Sequence, residues 1–107
     1  MRIEYYPNTK KCFYSFLEKT NTDNWINYYH LYQDDIIQFV RKELNWNITP
    51  YFARILNAKP GFVEWFYIIE NGIEFHSSDT IEYNKMTNVE QAINNAIVHL
   101  FTNIINV

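Results

Sequence analysis

A chain of 107 residues has the size of one domain and is long enough to bury a core without disulfide or metal staples. Its formal charge is −3, from nine Lys or Arg against twelve Asp or Glu, and its basic residues come at most in pairs, Lys10-Lys11 and Arg41-Lys42. Nucleic-acid binders draw much of their affinity from neutralising phosphates, so this pattern speaks against one, and the surplus of acid is too small for a strong DNA mimic.

Cys12 stands alone, which rules out an intrachain disulfide and suits a reducing compartment. The first seven residues lack the apolar run of a signal peptide, and the longest uninterrupted apolar stretch, 65–69, is far short of a membrane span. The expectation is a cytoplasmic protein with no membrane partner. Aromatic residues are unusually many, with three Trp, nine Tyr and eight Phe. A small core uses about half of them, so the rest should reach the surface, where Tyr and Trp suit interfaces.

In chain order, residues 2–6 read as a short strand at a sheet edge, and 11–19 as a helix. Trp25, Tyr28, Tyr29 and Tyr32 are helically spaced, so 25–32 is expected to run into the next helix, with a strand as the alternative. That next helix, 34–44, places Ile36, Ile37, Val40 and Leu44 on one side, and Asp34-Asp35 suits its positive N-terminus. A meander follows: strands at 51–56, 62–70 and 73–77, the first pair joined by a loop holding Pro60-Gly61. The second pair is joined by Asn71-Gly72, a two-residue type I′ turn signal, and 80–84 could add a fourth strand. Thr87 and Glu90 have capping-box spacing before a long amphipathic helix, 88–105. Its stripe is Val89, Ala92, Ile93, Ala96, Ile97, Leu100, Phe101, Ile104 and Ile105, with Gln91, Asn94, Asn95 and Asn103 opposite.

Counting from the two turns sets Ile68 opposite Phe75, Tyr67 opposite His76, Phe52 opposite Phe66, Ala53 opposite Trp65 and Arg54 opposite Glu64. Alternation then gives one face with Phe52, Phe66, Ile68, Ile73 and Phe75, and another with Tyr51, Trp65, Tyr67, Ile69, Glu74 and His76. Both faces are mainly apolar, so both need cover. Either helices lie on both sides, or one helical layer covers the Phe-rich face and leaves the Trp/Tyr face for a partner. The expected fold is α+β: a three- to four-stranded antiparallel meander with N-terminal helices and a C-terminal amphipathic helix packed on it, in one domain. With both faces covered it becomes an α/β/α sandwich. This order of elements resembles small phage-encoded α/β/α sandwich proteins, and also immunity proteins that neutralise bacterial toxins. The resemblance covers element order and carries no site residue.

Chemistry is sparse. His76-Ser77-Ser78-Asp79 holds the residue types of a hydrolytic triad, but consecutive residues cannot converge on one reacting atom. His30 and Asp34 would share a helix face as metal ligands can, yet a third ligand is not visible. Cys12 has only Lys10 and Lys11 beside it to lower its pKa. Two Gly residues cannot build a phosphate loop. No catalytic residue, metal or cofactor is therefore expected. The leading expectation is a non-enzymatic protein-binding module that inhibits or neutralises a toxin or defence-system component, as monomer or homodimer. Its expected contact residues are Trp65, Tyr67, Glu74 and His76 on the sheet, then Tyr28, Tyr29 and Tyr32. The alternatives are a structural or ligand-binding phage protein and a small metal-dependent hydrolase using His30, Asp34, His76 or Asp79.

Overall fold

Pro7 opens the first long element because its fixed φ suits the first turn of a helix, where its missing N–H is not needed. The helix α1 runs Pro7–Lys19 and is preceded by a short 3-10 turn, Ile3–Tyr5. That turn replaces the strand expected at 2–6: the Tyr6 N–H donates to the Ile3 carbonyl at 2.9 Å, and the turn drops Ile3 into the core. The computed structural model describes residues 3–20, 32–53, 64–78 and 88–105. Within them follow α2 (Gln33–Leu44), β1 (Asn47–Ala53), β2 (Glu64–Glu70), β3 (Phe75–Ser77), α3 (Val89–His99) and a π turn, Leu100–Ile104. The expected helix at 25–31, the Arg54–Glu64 pair, the loop at 57–61 and the strand at 80–84 lie outside the described residues, wholly or in part.

Each helix end has a local cause. The Tyr32 N–H donates to the Asp35 carboxylate at 2.8 Å, and Asp34 and Asp35 sit in the first turn of α2, where acid offsets the helix dipole. Asn45 ends α2 in the left-handed region at φ 59°, a conformation Asn tolerates. At the start of α3 the cap is Asn88, whose side-chain oxygen accepts from the Gln91 N–H at 2.8 Å. Thr87 of the expected capping box lies outside the described residues.

The three strands form an open antiparallel sheet in the order β1-β2-β3, which makes the fold α+β. Two expectations about pairing need correction. β1 begins four residues earlier than expected and pairs with β2 one residue out of the anticipated frame: Phe52 faces Trp65 and Tyr51 faces Phe66. The cause is visible at the strand start. There Ile48 meets Ile69 in the core, while Asn47 Nδ2 donates to Glu70 Oε1 at 3.0 Å. A one-residue slip exchanges the two faces of a strand, so Tyr51 and Phe52 trade places.

The hairpin between β2 and β3 is also shifted. Its centre is Gly72-Ile73 rather than Asn71-Gly72, since the Asn71 N–H donates to the Glu74 carbonyl at 3.2 Å. Asn71 cannot sit at the tip because its side-chain oxygen holds the turn from below, accepting from Ile73 N–H at 2.9 Å and Glu74 N–H at 2.7 Å. Gly72 supplies the positive φ of 87°. Moving the turn by one residue moves every partner by two, so Ile68 faces Ser77 and Ile69 faces His76. Faces survive an even shift.

The described helices all share one core with the inner sheet face. α3 touches α1, α2, β1 and β2, and a helix with neighbours on several sides needs small side chains, here the fully buried Ala92 and Ala96. Phe13 packs edge-on against Phe39 of α2 at 5.4 Å and against Phe101 of the π turn at 5.8 Å. Phe16 lies 5.0 Å from Phe101. The π turn, closed by the Ile105 N–H on the Leu100 carbonyl at 2.8 Å, ends the α-helical path of α3 at His99, short of the single helix expected through 105. It buries Leu100 and Phe101 together. No described helix lies on the outer side of the sheet, so the described elements make a layered α+β arrangement and not an α/β/α sandwich.

Candidate functional site

The register sorts β-sheet side chains into an inner set, Ile48, Phe52, Trp65, Tyr67, Ile69 and His76, and an outer set, Thr49, Tyr51, Phe66, Ile68, Phe75 and Ser77. The inner set meets the helices. Ile48, Tyr67 and Ile69 belong to the core, and Trp65 packs against it half-buried, edge-on to the exposed Phe52 at 5.4 Å. The outer set presents rings to solvent. Phe75 is 65% exposed and Tyr51 43%, and Tyr51 stacks on Phe66 with ring centres 5.3 Å apart. Ile73 at the hairpin tip is 93% exposed. Stacked and adjoining apolar groups left in water in this way form a patch of the kind that marks contact sites.

One polar corner of this face is tied down. Arg41 Nε donates to Asn47 Oδ1 at 3.1 Å, Asn47 in turn donates to Glu70, and Glu70 Oε2 accepts from the Gly72 N–H at 2.9 Å. The chain of bonds links α2, β1, β2 and the hairpin, and so fixes the frame that carries the exposed rings.

The expected contact residues are dispersed by this geometry. Tyr67 is 2% exposed and cannot reach a partner, which overturns its place on a contact surface. Trp65 shares its face and is partly spent in the core. Neither expected arrangement, cover on both sides or on the Phe-rich side alone, describes the sheet: the Trp65–Tyr67–Ile69 side meets the helices, and on the other side Phe75 and Tyr51 are exposed while Phe66 and Ile68 are half-covered. Glu74 is exposed in the turn, His76 is partly buried, and Tyr32 is exposed at the start of α2. Tyr28 and Tyr29 lie outside the described residues. The exposure of Tyr51, Ile73 and Phe75, and the partial exposure of Phe66 and Ile68, is not anticipated from the sequence. The signal that finds them is the strand start at Asn47, because Asn47 and Thr49 then fall on the face of Glu70 and Ser77 and mark it as the wetter one.

A second cluster lies on the inner side of the hairpin. The Tyr67 hydroxyl is 2.8 Å from His99 Nδ1, the His76 and His99 rings are 6.0 Å apart at 74°, and the Trp46 ring is 6.0 Å from His76. Glu74 Oε2 lies 3.4 Å from His76 Nε2. Burial, and then the neighbouring His76, push His99 below the ordinary His value, while burial lifts the Tyr67 phenol to about 12. A phenol that keeps its proton beside an imidazole held toward its neutral form can donate to Nδ1 when the imidazole proton is on Nε2. Among the described residues no group of three or more His, Cys, Asp or Glu is arranged to hold a metal ion. His30 and Asp79 lie outside them. Cys12 lines a cleft of about 280 Å³ between α1 and the π turn. Its thiol donates to the Thr9 carbonyl at 3.3 Å, and burial raises its pKa to about 11, the reverse of what a nucleophile needs. No helix among the described residues is long and apolar enough to cross a membrane.

No family model, curated protein or solved structure shows significant similarity to the chain.

Proposed function

We propose that the chain is a non-enzymatic protein-binding module that neutralises a partner protein by covering part of it, in the manner of an immunity or anti-defence inhibitor. The observation that supports this reading is the open outer sheet face, where Tyr51, Phe75 and Ile73 stand in water beside the half-covered Phe66 and Ile68. Binding energy at protein interfaces concentrates in a few large side chains near the centre of a patch, with aromatic anchors over-represented. A rigid sheet is a favourable base for such anchors because little conformational freedom is lost on docking.

The test is capture from a native lysate with the wild type, a Tyr51→Ser/Phe75→Ser double variant, and Tyr32→Ser as an exposed aromatic off the patch. A partner should be retained by wild type and Tyr32→Ser, and lost with the double variant at unchanged far-UV circular dichroism. Equal capture by all three forms removes the outer face from the account.

A further inference from the structure

We propose that His76 and His99 form a proton-operated latch, which holds the β2–β3 hairpin against the end of α3 in neutral solution and loosens it in mild acid. Two imidazoles from different elements meet here, one from β3 and one from the last residue of α3 before the π turn. Among the described residues the carboxylate bonded in this cluster is Glu74, and it lies on the His76 side. A positive charge on His99 arrives 6.0 Å from the His76 ring, and Glu74 is bonded to His76 rather than to His99.

The hydrogen bond to Tyr67 sharpens the effect. In neutral His99 the proton sits on Nε2, and Nδ1 accepts from the phenol. Protonation turns Nδ1 into a donor aimed at a hydroxyl that already donates to it. The phenolic hydrogen must then find another acceptor, and Tyr67 is buried away from water. A buried polar hydrogen without an acceptor costs more than the bond it replaces.

The other described charges around α3 are engaged elsewhere. On α1, Lys10, Lys11, Glu18 and Lys19 are exposed, and the inward polar contact is Thr9, whose hydroxyl donates to the Asn94 side chain. On α2, Asp34, Arg41, Lys42 and Glu43 are exposed, and Asp35 caps its own helix. β1 has no acid or base other than Tyr51 on the outer face, β2 offers Tyr67 inward and has Glu64 and Glu70 at outer-face register positions, and the π turn has no ionisable group. Glu90 sits in the first turn of α3, at the opposite end from His99.

The direction follows from linkage. An unfolded His takes up its proton near 6.5, and the folded His99 resists until the pH is lower. The junction is therefore at full strength above about 6.5, and its stabilisation is lost progressively as the pH falls below that value. The hairpin is the piece that yields, since β3 has three ladder pairs and the inner-side contact of His76.

Amide hydrogen exchange at residues 75–78, corrected for intrinsic rates, tests the latch between pH 7.5 and pH 5. Opening in the wild type should rise several-fold as the pH falls through the His99 titration. In His99→Asn, whose side-chain oxygen can still accept from Tyr67, the rise should vanish. Nitrogen-15 shifts of the wild-type imidazoles give an independent check: His99 should be the Nε2–H tautomer at pH 7.5, and its protonation should coincide with the opening midpoint. An equal rise in His99→Asn, no rise in the wild type, or a His99 titration out of step with opening each overturns the proposal.

Discussion

Tyr67 Oη lies 2.8 Å from His99 Nδ1, so the middle strand of the sheet is pinned through its central aromatic residue to the last turn of α3. This bond ties the Tyr67 ring to the helical side of the sheet. With the Tyr67 ring committed to the helices, Trp65 and Ile69 follow it by alternation, and Phe66 and Ile68 must turn away. Tyr67→Phe keeps the ring and removes the hydroxyl. It should cost about 1 to 2 kcal/mol, since a partly buried acceptor on His99 loses its donor. Urea unfolding should show a lower midpoint at unchanged slope.

Ser78 makes a comparable bond at the sheet end. Tyr67 N–H donates to Ser78 Oγ at 2.8 Å, where the next ladder partner of β2 would stand, and both residues are buried. Ser78→Ala leaves that N–H without a partner and should destabilise by about 1 to 3 kcal/mol. The Tyr67 amide should lose hydrogen-exchange protection more than its neighbours on β2.

The helical core and the exposed hairpin tip should respond very unequally to truncation. Phe13, fully buried among Phe39, Phe101 and Tyr14, should cost about 3 to 5 kcal/mol as Phe13→Ala. Ile73→Ser at the exposed tip should change stability by no more than about 0.5 kcal/mol. Thermal unfolding of the pair measures the contrast directly.

Cys12 should be slow toward iodoacetamide at pH 8, because a thiol near 11 is about one part in a thousand thiolate there. The alkylation rate should rise close to tenfold per pH unit up to about pH 11. A plateau near pH 8.5, the ordinary thiol range, would contradict the burial of this group.

Much of the architecture is written locally. The stripe from Ala92 to Ile105, the apolar side of 34–44 and the alternation within 64–70 each specify an element without help from the rest of the chain. The faces are harder, because Trp65-Phe66-Tyr67-Ile68-Ile69 is apolar on both sides and periodicity cannot rank them. The decisive residues lie on the neighbours: Asn47 and Thr49 of β1 wet the outer side, and Ile48 anchors the inner. Starting β1 at 51 hid them. The hairpin centre was displaced for a similar reason, since Asn71 acts through its side chain where an Asn-Gly pair ordinarily acts through its backbone. His99 carries no local signal of its role, its partners Tyr67 and His76 being 32 and 23 positions away in sequence.

Hydroxyl-radical footprinting of the native protein, read residue by residue, tests the sheet's orientation most directly. Tyr51, Phe75 and Ile73 should be oxidised rapidly, and Tyr67 should be protected to the level of Phe13. Protection of Tyr51 and Phe75 with rapid oxidation of Tyr67 would mean that the helices cover the other side, and the proposed contact surface would fall with that result.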